Sequence, residues 1–298
     1  EMQRGEDKSC PPFPVVVPPP QQVSSSSNHI TISAEWTIIA DEQKHPSAVG
    51  VLTKALALAG LKLEVRPPAA ASPMAGNSIV LGVPTAEPAV LAIVAATGNV
   101  TALMSPLPVG NVESYAINVT TRAVVLLGAG DAGVFYAAQT LSQMLSPATL
   151  RLPECTVRDW PDSPLRGFRL WAAPISLENL SWVESFLDNM SAVKLNFGPL
   201  SSNAFYTAPF NVSSTPAGKA ADTAFLASVK SAFDKAFVEM VPDLGFGSIT
   251  NHNIAGLFPD IAEGLWIQDE PFVVGTDTNA EASFGDPTAD SLLLAPVA

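Results

Sequence analysis

The spacing of apolar positions divides the chain into two stretches with different alternations of strands and helices. In the first, short β-branched runs predict strands, and apolar residues at helical spacing predict the helices between them. This order predicts a two-layer α/β domain over residues 29–160. The predicted strands are Ile30–Ile32, Trp36–Ala40, Leu61–Val65, Ser78–Val83, Ser114–Val119, Ala123–Gly128 and Leu152–Arg158, and the predicted helices are Pro46–Ala59, Ala86–Ala96 and Asp131–Leu145.

The second stretch follows Asp159-Trp160-Pro161-Asp162 and alternates strands with longer helices. Repeated β-then-α segments at this spacing are typical of a (β/α)8 TIM barrel. Because a complete barrel needs roughly 250 residues, residues 161–298 are expected to form an incomplete one, with about three βα units. The predicted elements are strands at Leu165–Trp171 and Leu195–Leu200, and helices at Leu177–Val193 and Thr223–Val241.

Residues 1–28 are rich in Pro and Ser and are predicted to be an extended lead-in. The sequence begins at Glu1 without a basic, then apolar, leader, so any signal peptide is expected to be absent or already removed.

Composition and charge narrow the class of protein. The chain has 298 residues and is 47% hydrophobic, which is enough for a sizeable core. Its 15 Lys and Arg face 28 Asp and Glu, a net charge of −13 that disfavours nucleic acid as a partner. The apolar stretches are interrupted before reaching the roughly 18–20 residues that a membrane span needs. No spacing typical of metal ligands or of a nucleotide cofactor occurs, so no cofactor is expected.

The two cysteines, Cys10 and Cys155, leave two alternatives open. They form one disulfide between the lead-in and the end of the first domain, or they remain free thiols. Asn-x-Ser/Thr sequons exceed chance and favour a glycosylated protein that is secreted or lysosomal. The sequons are at Asn99, Asn118, Asn179, Asn189 and Asn211. Asn189 falls in a helical pattern, so its sequon is expected to be unused.

Three neighbouring segments carry a resemblance to a known family. They are the hairpin ESYAINVTTRAVVLLGAGDAG ending at Gly133, the helix GVFYAAQTLSQML from Gly133 to Leu145, and LPECTVRDWPDSPLRGF from Leu152 to Phe168. Together they resemble the N-terminal domain appended to the β-N-acetylhexosaminidases of glycoside hydrolase family 20. The family 84 O-GlcNAc hydrolases, which carry the same domain, are possible relatives. A looser similarity continues through Asn189–Asn196 and Val241–Gly264 into the barrel.

The resemblance implies hydrolysis of terminal N-acetylhexosamine by substrate-assisted catalysis, in which the acetamide oxygen attacks the anomeric carbon. In the family an Asp–Glu pair after the fourth barrel strand orients the acetamide and protonates the leaving group. We expect that pair beyond Ala298. Within the predicted barrel the sequence contains the pair Asp269-Glu270, and since Pro271 follows it directly we interpret it as part of an acidic loop. The catalytic residues are therefore unknown.

Four residues are candidates for contact with a sugar. Trp171, at the end of the first barrel strand, can stack on a pyranose face. Asn251 and His252 follow the third strand, although a surface histidine without a role is commoner, and Asn196 can donate inward from the second strand or stabilise the barrel.

Two departures from the family favour a different function. Pro174 occupies the position of a sugar-binding Arg, and the second strand, Asn196 to Leu200, lacks the expected His and Asp. The sequence thus leaves two hypotheses: a family 20 hydrolase that is inactive in this form, or a non-catalytic carbohydrate-binding or interaction module. Either would bind a carbohydrate or glycoconjugate, and the oligomeric state is unknown.

Overall fold

The computed structural model describes residues 13–68, 76–96, 100–168, 180–200, 216–242, 262–264 and 281–282. Its contacts divide the chain into two units. The first comprises Glu1–Arg166 and Asn189–Leu195, and the second comprises Gly167–Asp188 and Asn196–Ala298. The first unit therefore extends beyond the predicted boundary at Trp160 as far as Arg166.

The first unit is built on a seven-stranded mixed sheet. Its strands are β1 (Gln22–Thr31), β2 (Thr37–Ile39), β3 (Glu64–Arg66), β4 (Ser78–Gly82), β5 (Tyr115–Val119), β6 (Ala123–Gly128) and β7 (Arg151–Asp159). They lie in the order β1-β7-β5-β6-β4-β2-β3. β6, β4, β2 and β3 are parallel neighbours, whereas β1, β7 and β5 pair antiparallel. The predicted hairpin is confirmed as the antiparallel pair β5–β6.

Helices cover both faces of this sheet. They are α1 (Pro46–Leu58), α2 (Pro88–Ala95), α3 (Val100–Met104) and α4 (Asp131–Met144). α4 packs on α1 and on the face of β5 that carries Tyr115, whose hydroxyl bonds Thr140. α2 and α3 pack on the opposite face, where Val90 and Leu103 join Ala116 of β5 in one core cluster.

The prediction of two layers is therefore wrong, because α2 and α3 form a third. The sequence contained a sign of this third layer. Ile79, Val80 and Leu81 form an unbroken apolar run, which is typical of a strand covered on both faces, and all three are fully buried.

The N-terminal segment is also part of the fold. β1 pairs with β7 from Gln22↔Arg158 to Thr31↔Arg151, so the prediction of an extended lead-in through residue 28 is wrong. The error has a physical cause: an edge strand gains backbone hydrogen bonds along β7 without burying its side chains. Its polar residues Ser24 to Ser27 are all exposed.

The second unit contains a parallel pair of strands joined by a helix. Its elements are α5 (Leu180–Ala192), of which the residues from Asn189 onward belong to the first unit, β8 (Phe197–Leu200), α6 (Pro216–Lys235) and β9 (Glu239–Pro242). β8 is parallel to β9, and Gly167 forms a parallel bridge with Phe197 on the other side. Two short strands, β10 (Ala262–Gly264) and β11 (Glu281–Ala282), pair antiparallel.

These contacts match the alternation predicted for the start of a barrel, and the described residues do not include a closed one. The helix predicted over Thr223–Val241 begins earlier and ends at Lys235. Phe237 has φ 55°, in the left-handed region, where the chain turns into β9. The apolar run at the end of the predicted helix belongs to this strand, an ambiguity that periodicity does not resolve.

One glycine allows α4 to begin close to the sheet. A Cβ at Gly133 would lie 2.3 Å from the carbonyl oxygen of Ser114 and 3.0 Å from the Cα of Gly128. Both obstacles are backbone atoms, so no side chain can move aside. The Gly that opens the GVFYAAQTL segment is therefore required by packing.

We predict that Gly133→Ala lowers the free energy of unfolding by about 3 kcal/mol, because the added methyl overpacks against backbone. Urea denaturation of the full chain measures this change. Gly50→Ala is the matched control. It lies in α1 with nothing within 4 Å of its Cβ position, and alanine there should stabilise by roughly 0.5–1 kcal/mol. Equal stability of the two variants would contradict the close approach.

Candidate functional site

Of the residues predicted to contact a sugar, the structure describes Asn196. Trp171, Asn251 and His252 lie outside the described residues. Asn196 immediately precedes β8, and its carbonyl oxygen accepts a hydrogen bond from the Glu239 amide at 2.8 Å. Sites in barrels lie at the C-terminal ends of strands. The position of Asn196 at the opposite end favours a structural role, and its contact with a sugar stays a prediction.

The sequons are described in part. Asn118 is half-buried on β5, and its Oδ1 accepts a hydrogen bond from Thr156 Oγ1 at 3.2 Å. Asn189 is exposed on α5, where the helical pattern had placed it. Asn99, Asn179 and Asn211 lie outside the described residues, and glycosylation stays a prediction at each site.

Polar side chains converge on a cavity of about 220 Å3 in the first unit. Its walls are formed from the end of β7, the loop after it, the N-terminal segment and the turn after α5. Six of the lining residues carry the polar and aromatic groups of interest: Tyr115, Tyr136, Asp159, Trp160, Arg166 and Lys194.

A buried network at one side of the cavity, the Lys194 network, comprises Lys194, Asp159, Tyr115 and Thr140. Lys194 Nζ donates to Asp159 Oδ2 at 2.7 Å and to the Tyr115 hydroxyl at 2.9 Å. Tyr115 in turn donates to Asp159 Oδ2 at 2.9 Å, and its oxygen lies 2.5 Å from Thr140 Oγ1. Both charged residues are 6% exposed or less. The network therefore neutralises two charges that burial would otherwise make costly.

The sheet and one strained turn place these groups together. Tyr115 begins β5 and is paired in register with Asp159, which ends β7. Lys194 lies in the turn after α5 with φ 62°, a left-handed conformation that a lysine adopts only when its surroundings impose it. The two bonds of its ammonium group compensate for this strain.

Burial sets the protonation behaviour of the network. Desolvation lowers the pKa of Lys194, and the nearby charge of Asp159 opposes that effect. The pKa of Tyr115 is raised well above its ordinary value, first by burial and then by the Asp159 charge. Tyr115 thus remains a hydrogen-bond donor through the physiological range, and the arrangement holds charge in place rather than exchanging protons.

Arg166 joins the cavity wall to the same turn. Its Nε donates to the carbonyl oxygen of Lys194 at 2.8 Å, and its Nη1 lies 2.8 Å from Glu113 Oε2. The guanidinium also lies over the Tyr136 ring, 5.8 Å from its centre. These contacts give Arg166 a structural role in the cavity wall.

The N-terminal segment closes one side of the cavity. The Val17 amide donates to Gln143 Oε1 at 2.8 Å, and Gln143 Nε2 donates back to the Val17 carbonyl at 3.1 Å. Further along, the Gln21 amide donates to Asp159 Oδ1 at 3.1 Å and its side chain to Asp162 Oδ1 at 2.8 Å. Asp159 is thus bonded on both oxygens.

Comparison with known proteins identifies the family of the sequence that forms most of the first unit. Residues 14–160 match the model of glycosyl hydrolase family 20, domain 2. Residues 14–160, which form most of the first unit, are a family 20 domain. The match includes the cavity residues from Pro18 to Trp160, whereas Asp162, Arg166 and Lys194 lie outside it.

Individual relatives agree with this assignment. Lacto-N-biosidase of Bifidobacterium bifidum is 35% identical over 85 residues, which cover 28% of this chain and 8% of that protein. The structure of a glycoside hydrolase family 20 β-N-acetylglucosaminidase aligns with TM-score 0.61 and 18% identity, over 93% of this chain and 54% of that one. A chitobiase of Flavobacterium johnsoniae aligns with TM-score 0.62 and 15% identity, over 93% of this chain and 41% of that one.

At these identities the structural likeness concerns the fold alone. Family 84 structures are also similar in fold, as the resemblance in the sequence implied. The chain spans about half the length of these structures or less, and a small fraction of the curated relative.

Sequence reasoning missed the Lys194 network of the first unit. Tyr115 and Asp159 lie in the resembling segments, and the alternation along β5 places Tyr115 on a buried face. Nothing in the sequence pairs either residue with Lys194, which follows 35 positions after Asp159. A lysine inside an otherwise apolar pattern, Ala192-Val193-Lys194-Leu195, was the one available sign of a buried charge.

A second buried pair lies at the carboxyl ends of the parallel strands. His45, after β2, has its Nε2 2.7 Å from Oε1 of Glu87, which follows β4. The same oxygen accepts the Val83 amide at 2.7 Å, and His45 Nδ1 is 3.7 Å from Asp131 at the start of α4. Within the described part of the chain, no group of three or more His, Cys, Asp or Glu could hold a metal ion. The pair ties the loops after β2 and β4 to each other.

None of the described helices is both long enough and apolar enough to cross a bilayer.

Cys155 lies in the centre of the antiparallel part of the sheet. It is on β7, in register with Ser25 of β1 and Val119 of β5, and is 6% exposed. Burial raises the pKa of its thiol to about 12. Cys10 lies outside the described residues, so the disulfide between the two stays a prediction.

This burial predicts a loss of stability at alkaline pH in the reduced protein. The unfolded thiol ionises near 9, whereas the folded thiol keeps its proton until about 12. The folded state then binds more protons, so stability falls as pH rises, by about 2–3 kcal/mol between pH 9 and 11. Urea denaturation across this range should show a smaller loss in Cys155→Ala, in which the other titrating groups are unchanged. Parallel profiles for the two proteins would contradict the burial of an ionisable thiol.

Proposed function

We propose that this chain is part of a β-N-acetylhexosaminidase-type glycoside hydrolase that releases terminal N-acetylhexosamine. The observation that carries the proposal is the family 20 domain at residues 14–160. The parallel β8–α6–β9 unit that follows it supports the proposal, since it has the alternation of a barrel. Two similar structures belong to proteins named as a β-N-acetylglucosaminidase and a chitobiase.

In this proposal the family 20 domain supports the barrel and does not carry out the chemistry. Two of the three carboxylates at the cavity are paired with cations: Asp159 with Lys194, and Glu113 with Arg166, whereas Asp162 is exposed on the rim. A carboxylate held in this way is a poor general acid, because its proton would have to displace a cation. The acid and the acetamide-orienting Asp are instead proposed on the barrel, with Trp171, Asn251, His252 and Asn196 as candidate sugar contacts.

The proposed reaction is substrate-assisted. The acetamide oxygen of the substrate attacks the anomeric carbon while an enzyme carboxylic acid protonates the departing glycosidic oxygen. Water then opens the cyclic intermediate, and its proton returns to the carboxylate. Such an enzyme would be secreted or lysosomal and glycosylated at the sequons outside helices.

A second candidate is a non-catalytic carbohydrate-binding module. Pro174, at the position of a sugar-binding Arg in the family, favours it, because proline cannot donate a hydrogen bond. The similarity to a lacto-N-biosidase adds a third outcome, in which a disaccharide is released instead of one sugar.

Hydrolysis of chromogenic glycosides tests these alternatives. We expect this chain, extended through a complete barrel, to release 4-nitrophenol from the N-acetyl-β-glucosaminide. The matched β-glucoside, which lacks the acetamide nucleophile, should react at least about 1000-fold more slowly. Glu270→Gln should leave kcat unchanged, since Asp269-Glu270 is interpreted as a loop.

Three results would change this assignment. Equal rates on the two glycosides would contradict substrate assistance. Turnover of a lacto-N-bioside alone would replace the monosaccharide with a disaccharide. Absence of turnover on every glycoside, with binding retained, would favour the binding module.

A further inference from the structure

The cavity of the first unit contains a hydrogen-bond donor that the described residues leave unused. A lysine ammonium group has three donors. Two of the three Lys194 donors form hydrogen bonds, one with Asp159 Oδ2 and one with the Tyr115 hydroxyl. The third has no protein acceptor among the described residues, although Lys194 is 5% exposed and lines the cavity. An acceptor oxygen inside the cavity would complete its coordination.

The remaining walls combine flat apolar surfaces with polar edges. Trp160 contributes an aromatic ring, and Pro18 and Pro19 lie in the N-terminal segment that also borders the cavity. Asp162 is on the rim, where its Oδ1 accepts from Gln21 and its Oδ2 has no protein partner in the described part of the chain. Aromatic and proline surfaces beside a carboxylate match a sugar ring, whose faces are apolar and whose edge carries hydroxyls.

Charge around the cavity selects a neutral ligand. Lys194 is balanced by Asp159, and Arg166 by Glu113, which leaves the carboxylate of Asp162 in excess. An anion would meet this surplus negative charge, whereas a hydroxyl can donate to it. The cavity volume of about 220 Å3 is smaller than the roughly 300–1,000 Å3 of sites for drug-sized ligands, which favours a ligand of one ring.

We propose that this cavity is a binding site for one neutral pyranose. A sugar oxygen accepts the third proton of Lys194, a hydroxyl on the far edge donates to Asp162, and the ring lies against Trp160. The site belongs wholly to the first unit. It relies on the proposed function only for the choice of N-acetylglucosamine as the probe.

Calorimetric titration of the full chain with N-acetylglucosamine tests the proposal. We expect a Kd in the millimolar range, typical of a single sugar with few polar contacts. Asp162→Ala removes the exposed acceptor and should weaken binding at least about tenfold, while Lys194 and its partners remain intact. Glu42→Ala, an exposed acid outside the cavity, is the control and should bind as the unaltered chain does.

A second variant distinguishes loss of the sugar contact from loss of the Asp162–Gln21 hydrogen bond, which Asp162→Ala also removes. Ser163→Trp places a bulky side chain in the cavity wall and should also abolish binding, with an unchanged melting temperature. The proposal is overturned if no heat is measured up to about 50 mM sugar. It is overturned equally if Asp162→Ala and Ser163→Trp both bind like Glu42→Ala. The binding measurement does not depend on whether the protein hydrolyses glycosides. Failure of the sugar-binding proposal is therefore distinguishable from failure of the proposed hydrolase function.

Discussion

The buried ion pair between Lys194 and Asp159 is the constraint on which the first unit depends. Two charges that are nearly inaccessible to water are tolerated only when each is fully paired. Tyr115 and the Gln21 amide complete the coordination of Asp159, so strand β5, strand β7, the N-terminal segment and the turn after α5 meet at one carboxylate. Residues 189–195 belong to the first unit because of such contacts, although the chain on both sides of them belongs to the second.

Because of this arrangement we propose that the family 20 domain does not carry out the chemistry of a hydrolase. Two acids at the cavity, Asp159 and Glu113, are paired with Lys194 and Arg166. Spare hydrogen-bonding capacity is left on the Lys194 ammonium and on Oδ2 of Asp162, at a cavity that Trp160, Pro18 and Pro19 also line. Recognition of a single sugar is compatible with this arrangement.

Sequence patterns within single segments predicted most elements of the first unit. Features that depend on contacts between distant segments were missed. The β5–β6 hairpin and α4 follow from alternation, helical spacing and turn residues that act within a few positions of one another. β1 was missed because a Ser-rich edge strand is stabilised by its partner rather than by its own side chains. The third layer was missed because the apolar helix α2 is compatible with either face. Lys194 and Asp159 meet only through the folded sheet, so no spacing in the sequence reveals their contact.

A double-mutant cycle on Asp159→Asn and Lys194→Met measures the central interaction most directly. Each single change leaves a buried charge unpaired and should cost about 3–5 kcal/mol of unfolding free energy. The double variant should recover much of this loss, giving a coupling energy of about 2–3 kcal/mol, whereas the exposed Lys230–Asp234 pair should couple by less than about 0.5 kcal/mol. Additive effects at Asp159 and Lys194, within about 0.5 kcal/mol, would show that the pair does not hold the domain together.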